Sequence, residues 1–130
     1  MKTKLSLLTT LSGILISFSS LALTTSVEFK NTTSKAETLI DGQNVSGSIT
    51  PSVPNPLQPF SSSFHLSNTP GTSVEAGVIR FSSCRFNWST INLGGIYSFS
   101  RGAEPSSDCA VEVLQQNVFT GEHNVRFIIK

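Results

Sequence analysis

Side chains that carry chemistry are scarce in this chain. Its 130 residues include one Trp, one Tyr, two Cys and two His, and only 13% of positions are charged. The common signatures of hydrolysis are missing. There is no GxSxG nucleophile elbow and no HExxH pair to hold a catalytic zinc. No CxxC brings two thiolates together, and no DxDxDG loop offers a calcium cage. No run of Lys and Arg follows the N-terminal region. The electrostatic footprint of a nucleic-acid binder is therefore absent, and so is a polybasic patch for anionic lipid. Apolar residues nowhere sustain a three- and four-residue spacing over eleven or more positions, so no amphipathic helix is indicated. There is no internal repeat.

What is present begins with a leader. In MKTKLSLLTTLSGILISFSSLALTTS, Lys2 and Lys4 form a short positive region. Leu5 to Phe18 is apolar, diluted by Ser and Thr. Ser20 and Ala22 are small residues at the two positions that a signal peptidase reads. A membrane-spanning helix needs about 20 mostly apolar residues, and this stretch is shorter and carries hydroxyls. The reading is a cleaved signal peptide, residues 1–22, followed by one secreted domain, residues 23–130. No Cys follows the small residues, so acylation of a new N-terminal Cys is not open to it. Without Lys2 and Lys4 the mature part holds seven basic residues against eight acidic ones, a net charge of −1. An export signal places the domain outside the cytoplasm, in a periplasm or the extracellular space.

That compartment decides the chemistry of Cys84 and Cys109. In an oxidising environment a pair of cysteines reads as a disulfide rather than a nucleophile or metal ligand. Closing a loop of this size contributes about 3–4 kcal/mol on the chain-entropy account.

The mature part is rich in Ser, Thr, Asn, Gly, Val, Ile and Phe, which favour strands and turns. Val27 and Phe29 share a face. Asp41-Gly42 between short apolar segments is a hairpin signal. Pro51, Pro54, Pro56 and Pro59 mark a stiff extended crossing, because proline cannot donate to a ladder. In FSSSFHLS, Phe64 and Leu66 share the apolar face and His65 lies opposite, so His65 is expected at the surface. Gly77 inside a long strand signals a bulge or a close packing contact. RFNWSTINLGGIYSFS reads as a hairpin turning at Gly94-Gly95, with Phe86 and Trp88 on one face and Tyr97 and Phe99 on one face of the return. Cys109, Val111 and Val113 share one face against Ala110, Glu112 and Leu114, and Val125, Phe127 and Ile129 share one against Asn124, Arg126 and Ile128. Eight or nine short strands at this spacing predict an all-β fold, an antiparallel β-sandwich or small barrel. An immunoglobulin domain is not indicated. Trp88 follows Cys84 too closely, and Ser107 stands where the Tyr two before the second Cys would be. Size and strand pattern are similar to those of small secreted β-sandwich lectins and cytolysins of the aegerolysin type. No diagnostic motif carries that likeness, and no family is assigned.

Candidate sites are correspondingly few. Glu122-His123 falls in a turn and reads as a solvated tip. A two-His metal site would need the fold to bring His65 and His123 together, so no metal, cofactor or catalytic residue is assigned. Three sequons, at Asn31, Asn44 and Asn87, matter only in a host that N-glycosylates. The Arg85–Arg101 hairpin is the most suggestive unit, because aromatic side chains with Arg compose binding hot spots. Arg85, Trp88, Tyr97 and Arg101 are the candidate binding residues, although the rings also suit a small core. The expected function is a secreted, non-enzymatic binding module for a glycan, a protein or a membrane surface. Alternatives are a structural or envelope-associated surface protein without a small ligand, and last a small hydrolase. N-terminal sequencing of exported protein is expected to begin near Leu23; an intact Met1 in that material contradicts the leader assignment.

Overall fold

The computed structural model describes residues 23–130, apart from Thr72 and the side chains of residues 42–44; the expected leader lies outside the described residues. It contains nine strands and, among the described residues, no helix. They are β1 (Leu23–Asn31), β2 (Leu39–Val45), β3 (Ser48–Thr50), β4 (Ser61–Thr69), β5 (Val74–Phe81), β6 (Arg85–Asn92), β7 (Tyr97–Glu104), β8 (Cys109–Gln116) and β9 (His123–Ile129). One sheet has the order β3-β4-β1-β9-β8 and the other β2-β5-β6-β7. This is the expected all-β fold in its sandwich form. One pairing departs from the antiparallel expectation. β1 and β9 run parallel, from Thr25 beside His123 to Asn31 beside Ile129. The first and last strands of the domain thus lie side by side at the centre of their sheet.

Period-2 alternation drives the assembly, since every second side chain of a strand faces the opposite sheet. Val27, Phe29, Val125, Phe127 and Ile129 from one sheet meet Ile79, Phe81, Phe86 and Trp88 from the other, all buried. Phe29 is central. Its ring lies 5.5 Å from Phe81, 5.9 Å from Phe86 and 5.8 Å from Phe127. Phe86 stacks on Phe127 at 4.8 Å. Such ring pairs add to the stabilisation from burial alone.

Gly77 explains how Trp88 fits. The two face each other across the β5–β6 ladder, and a Cβ at Gly77 would lie 2.2 Å from the indole ring. Only a residue without a side chain leaves room for the ring. The Cys84–Cys109 bond is formed and buried, with Cα atoms 5.9 Å apart. It joins the residue before β6 to the first residue of β8, and therefore one sheet to the other.

Three local expectations are corrected. Asp41-Gly42 is not a hairpin turn: β2 runs through it, with a register shift between Leu39 and Gln43 against β5. Turn chemistry here serves an irregularity in an edge strand. β4 presents the opposite face to that expected, with His65 buried and Phe64 and Leu66 exposed. The buried ring bridges Ser63 Oγ at 2.6 Å and the Pro51 carbonyl at 2.7 Å, and packs 5.6 Å from Phe29. His123 is fully buried instead of forming a solvated tip, because it is the first inward position of β9.

Trp88 is 2% exposed. Trp88→Ala is expected to lower unfolding free energy by about 3–5 kcal/mol, the usual range for a large buried aromatic, measured by urea denaturation. A loss below about 1 kcal/mol contradicts the packing described.

Candidate functional site

The strand registers gather the starts of β1, β5, β7 and β9 and the ends of β4, β6 and β8 at one end of the sandwich. Two turns there differ in composition from the rest of the surface. Leu93-Gly94-Gly95-Ile96 joins β6 to β7, and Val118-Phe119-Thr120-Gly121 lies between β8 and β9; neither stretch contains a charged residue, and the exposed Glu122 that follows the second accepts from Gln115 Nε2 at 3.0 Å. Leu93 is 65% exposed, Ile96 55% and Phe119 76%, and Val118, Ile91 and Val74 add partly exposed apolar surface.

Both turns are held in place. Gly94 and Gly95 adopt φ of 81° and 107°, which glycine accepts without strain. The Leu93 N–H donates to the Ile96 carbonyl at 2.7 Å, and the Gly95 N–H to Asn92 Oδ1 at 2.9 Å. Asn117 Oδ1 accepts from the Phe119 and Thr120 N–H groups. The Tyr97 N–H donates to the Val118 carbonyl at 2.8 Å, which locks the two turns together. Tyr97 itself is half-buried, its ring against Gly121. The apolar tips are ordered before anything binds, which lowers the cost of association.

Of the four candidate binding residues, the structure places the backbone of Tyr97 alone at this end, while the Arg101 side chain reaches it from mid-strand. Trp88 is a core residue and is withdrawn as a contact. Arg85 lies at the far end of the hairpin and pairs with Glu104 at 3.3 Å. Arg101 sits mid-strand, opposite Trp88 in the ladder, and donates to Gln116 Oε1 at 3.1 Å. The hairpin tip was legible through Gly94-Gly95. Phe119 was missed, because VFTG lies in a different turn that only the fold brings alongside. The Asn31 sequon serves the fold: its amide is buried and donates to the Lys35 carbonyl at 2.7 Å and the Gln58 carbonyl at 3.2 Å. Among the described residues no three metal-binding side chains gather, and His65 and His123 have separate partners.

Beneath the tips lies a buried polar layer. Glu75 on β5 is fully buried and accepts from Thr25 Oγ1, from Ser67 Oγ and, at 3.1 Å, from the Trp88 indole N–H. Burial raises its pKa, and the three donors oppose that shift. His123 Nδ1 meets Thr90 Oγ1 at 3.2 Å, its Nε2 has no hydrogen-bond partner among the described residues, and the Phe99 ring packs 4.7 Å away. Burial, with the Arg101 charge second, lowers the His123 pKa to about 4. Burial also lowers that of His65, against its bond to the Pro51 carbonyl.

No family model and no curated protein matches the chain. Among solved structures, the lipid-binding protein Nakanori, whose crystal structure was determined at 1.5 Å, superposes with a TM-score of 0.56. The match covers 82% of this chain and 70% of that one at 10% identity. The likeness establishes a shared fold. Among the described residues, no helix is long and apolar enough to cross a membrane.

The buried histidine has a pH consequence. Unfolded His123 takes a proton near pH 6.5, whereas the folded residue resists it down to about 4. Between those values the unfolded chain holds more protons, so stability falls as the pH drops through that window, by up to about 3 kcal/mol from this residue. Glu75 works the other way, since its raised pKa makes acidification relieve a buried charge. Urea denaturation from pH 7 to pH 4 is expected to show decreasing stability, with a flatter profile in His123→Asn. An unchanged slope in the variant contradicts this assignment.

Proposed function

We propose that this protein is a non-enzymatic, extracytoplasmic binding module that docks on a lipid surface, with Leu93, Ile96, Val118 and Phe119 as its contact. The observation that carries the reading is the pairing of two turns that expose large apolar side chains side by side. Monomeric proteins rarely leave contiguous large apolar side chains in water without a use for them. The fold shared with a lipid-binding protein is in keeping with this reading.

The distribution of charge supports the same orientation. Lys30, Lys35, Arg85, Glu104, Asp108 and Lys130 cluster at or near the opposite end, where β1, β7 and β9 finish and β6 and β8 begin. Lowering the apolar end into the interfacial region of a bilayer therefore leaves the charged end in water. Fully burying an aliphatic or aromatic side chain contributes about 1.5–3 kcal/mol. The four tip residues are already partly covered, so each adds about 1–2 kcal/mol on that scale. The contact requires no anionic lipid, because the tips carry no basic cluster to recognise one.

Co-sedimentation with neutral phosphatidylcholine vesicles tests this. Phe119→Ser should weaken partitioning about tenfold, and the triple change Leu93→Ser, Ile96→Ser, Phe119→Ser should abolish it, with melting temperature nearly unchanged because all three side chains are exposed. Undiminished vesicle binding by the triple variant, or no binding by the parent protein, rejects the reading.

A further inference from the structure

β4 carries its apolar residues on the side that a free-standing sandwich would make polar. Its inward positions are spent on Ser63, His65 and Ser67, each tied down by hydrogen bonds to His65, Pro51 or Glu75. Its outward positions hold Phe64, 65% exposed, and Leu66, 49% exposed. Polar groups inside and large apolar groups outside are the informative exceptions in a folded chain. Departures from local patterning of this kind concentrate at functional sites.

The inverted face forms a groove of about 390 Å³ on the outer side of the five-stranded sheet. Phe64, Leu66 and Pro51 wall one side and Leu114 on β8 the other, while Ser26 and Asn124 line its floor. In the strand register Leu66, Ser26 and Asn124 lie in one row, so two small or polar side chains separate the apolar walls. The volume falls in the usual range for small-ligand pockets, about 300–1,000 Å³.

We propose that this groove binds one acyl chain of a single lipid molecule, at a second site distinct from the tips. The choice rests on the lipid-directed reading above only for the class of ligand. Three observations narrow the occupant. β1 forms the middle of the floor and is bonded to β4 on one side and β9 on the other, so a peptide lying along the floor meets no free backbone edge there, the sheet's edges being β3 and β8. The one basic group at the groove's end is already shared. Arg126 Nε donates to Glu28 at 2.8 Å and its Nη1 to Glu112 at 3.1 Å, so two carboxylates take up its charge and it is not free to hold an anionic ligand. Four apolar side chains do not supply the roughly 800 Å² per partner of a stable protein interface. What remains complementary to the groove is a narrow, uncharged, apolar chain.

Titration with lauroyl lysophosphatidylcholine below its micelle concentration, followed by methyl NMR of the parent protein, tests the site. The Leu66 and Leu114 methyl signals should shift saturably with a stoichiometry of one, while the Leu93 methyls stay in place. Leu66→Ser with Leu114→Ser should weaken binding at least tenfold, and Phe64→Ser alone should weaken it measurably; all three side chains are exposed. The tip triple variant should bind the monomeric lysolipid as the parent does, so loss of vesicle docking and loss of groove binding are read separately. Absence of a saturable shift at Leu66 and Leu114 overturns the proposal. So does a shift confined to Leu93, or a response of the groove to maltohexaose with none to the lysolipid.

Discussion

The sandwich depends on one hydrogen-bonded node between its sheets, the Glu75 carboxylate, which within its own sheet accepts from the indole N–H of Trp88, whose ring seats on Gly77 of the neighbouring strand. The same carboxylate accepts from Thr25 on β1 and Ser67 on β4, so the two sheets share a hydrogen-bonded node as well as an apolar core. A buried carboxylate without a cation is costly, and three donors offset much of that cost. A half-satisfied version would be worse than an apolar core, so Gly77, Trp88, Glu75, Thr25 and Ser67 stand or fall together. At the opposite end the Cys84–Cys109 bond joins the same two sheets covalently. The domain is thus fastened by a polar node under its apolar tips and by a disulfide beneath its charged end.

The strands and their order of appearance were readable because alternation survives even in short elements. Val27 and Phe29, Phe86 and Trp88, and Val125, Phe127 and Ile129 all face inward as their spacing requires. β4 was misread for a physical reason. The rule that assigns the apolar set to the core fails where polar residues find partners inside, and the partners of His65 and Ser67 come from Pro51 and from Glu75 on another strand. His123 was misread similarly, since only the pairing of β9 with β1 and β8 shows that its strand begins at His123, in phase with Val125. The Asp41-Gly42 signal is local, but edge-strand irregularities and hairpins use the same residues. Of the candidate site, the Gly94-Gly95 tip was visible. Its neighbour Phe119 became adjacent only through the sheet topology, and the aromatic that drew most attention, Trp88, belongs to the core.

Function in this account follows from where apolar surface is left uncovered. The tips are pre-ordered by backbone hydrogen bonds, Glu122 is the one charged residue in their two loops, and the end that bears Lys35 and Lys130 points away from them. A lipid surface is matched by that polarity more closely than a glycan would be, since the most exposed side chains of the tips, Leu93, Ile96 and Phe119, offer a sugar no hydrogen bonds. The most direct measurement is depth-resolved fluorescence quenching by brominated phosphatidylcholine vesicles in two single variants, Phe119→Trp and Lys35→Trp, with buried Trp88 as a common background. The account predicts strong quenching and a blue shift of the added indole at position 119, and neither at position 35. Equal quenching at both positions, or quenching only at position 35, would contradict it.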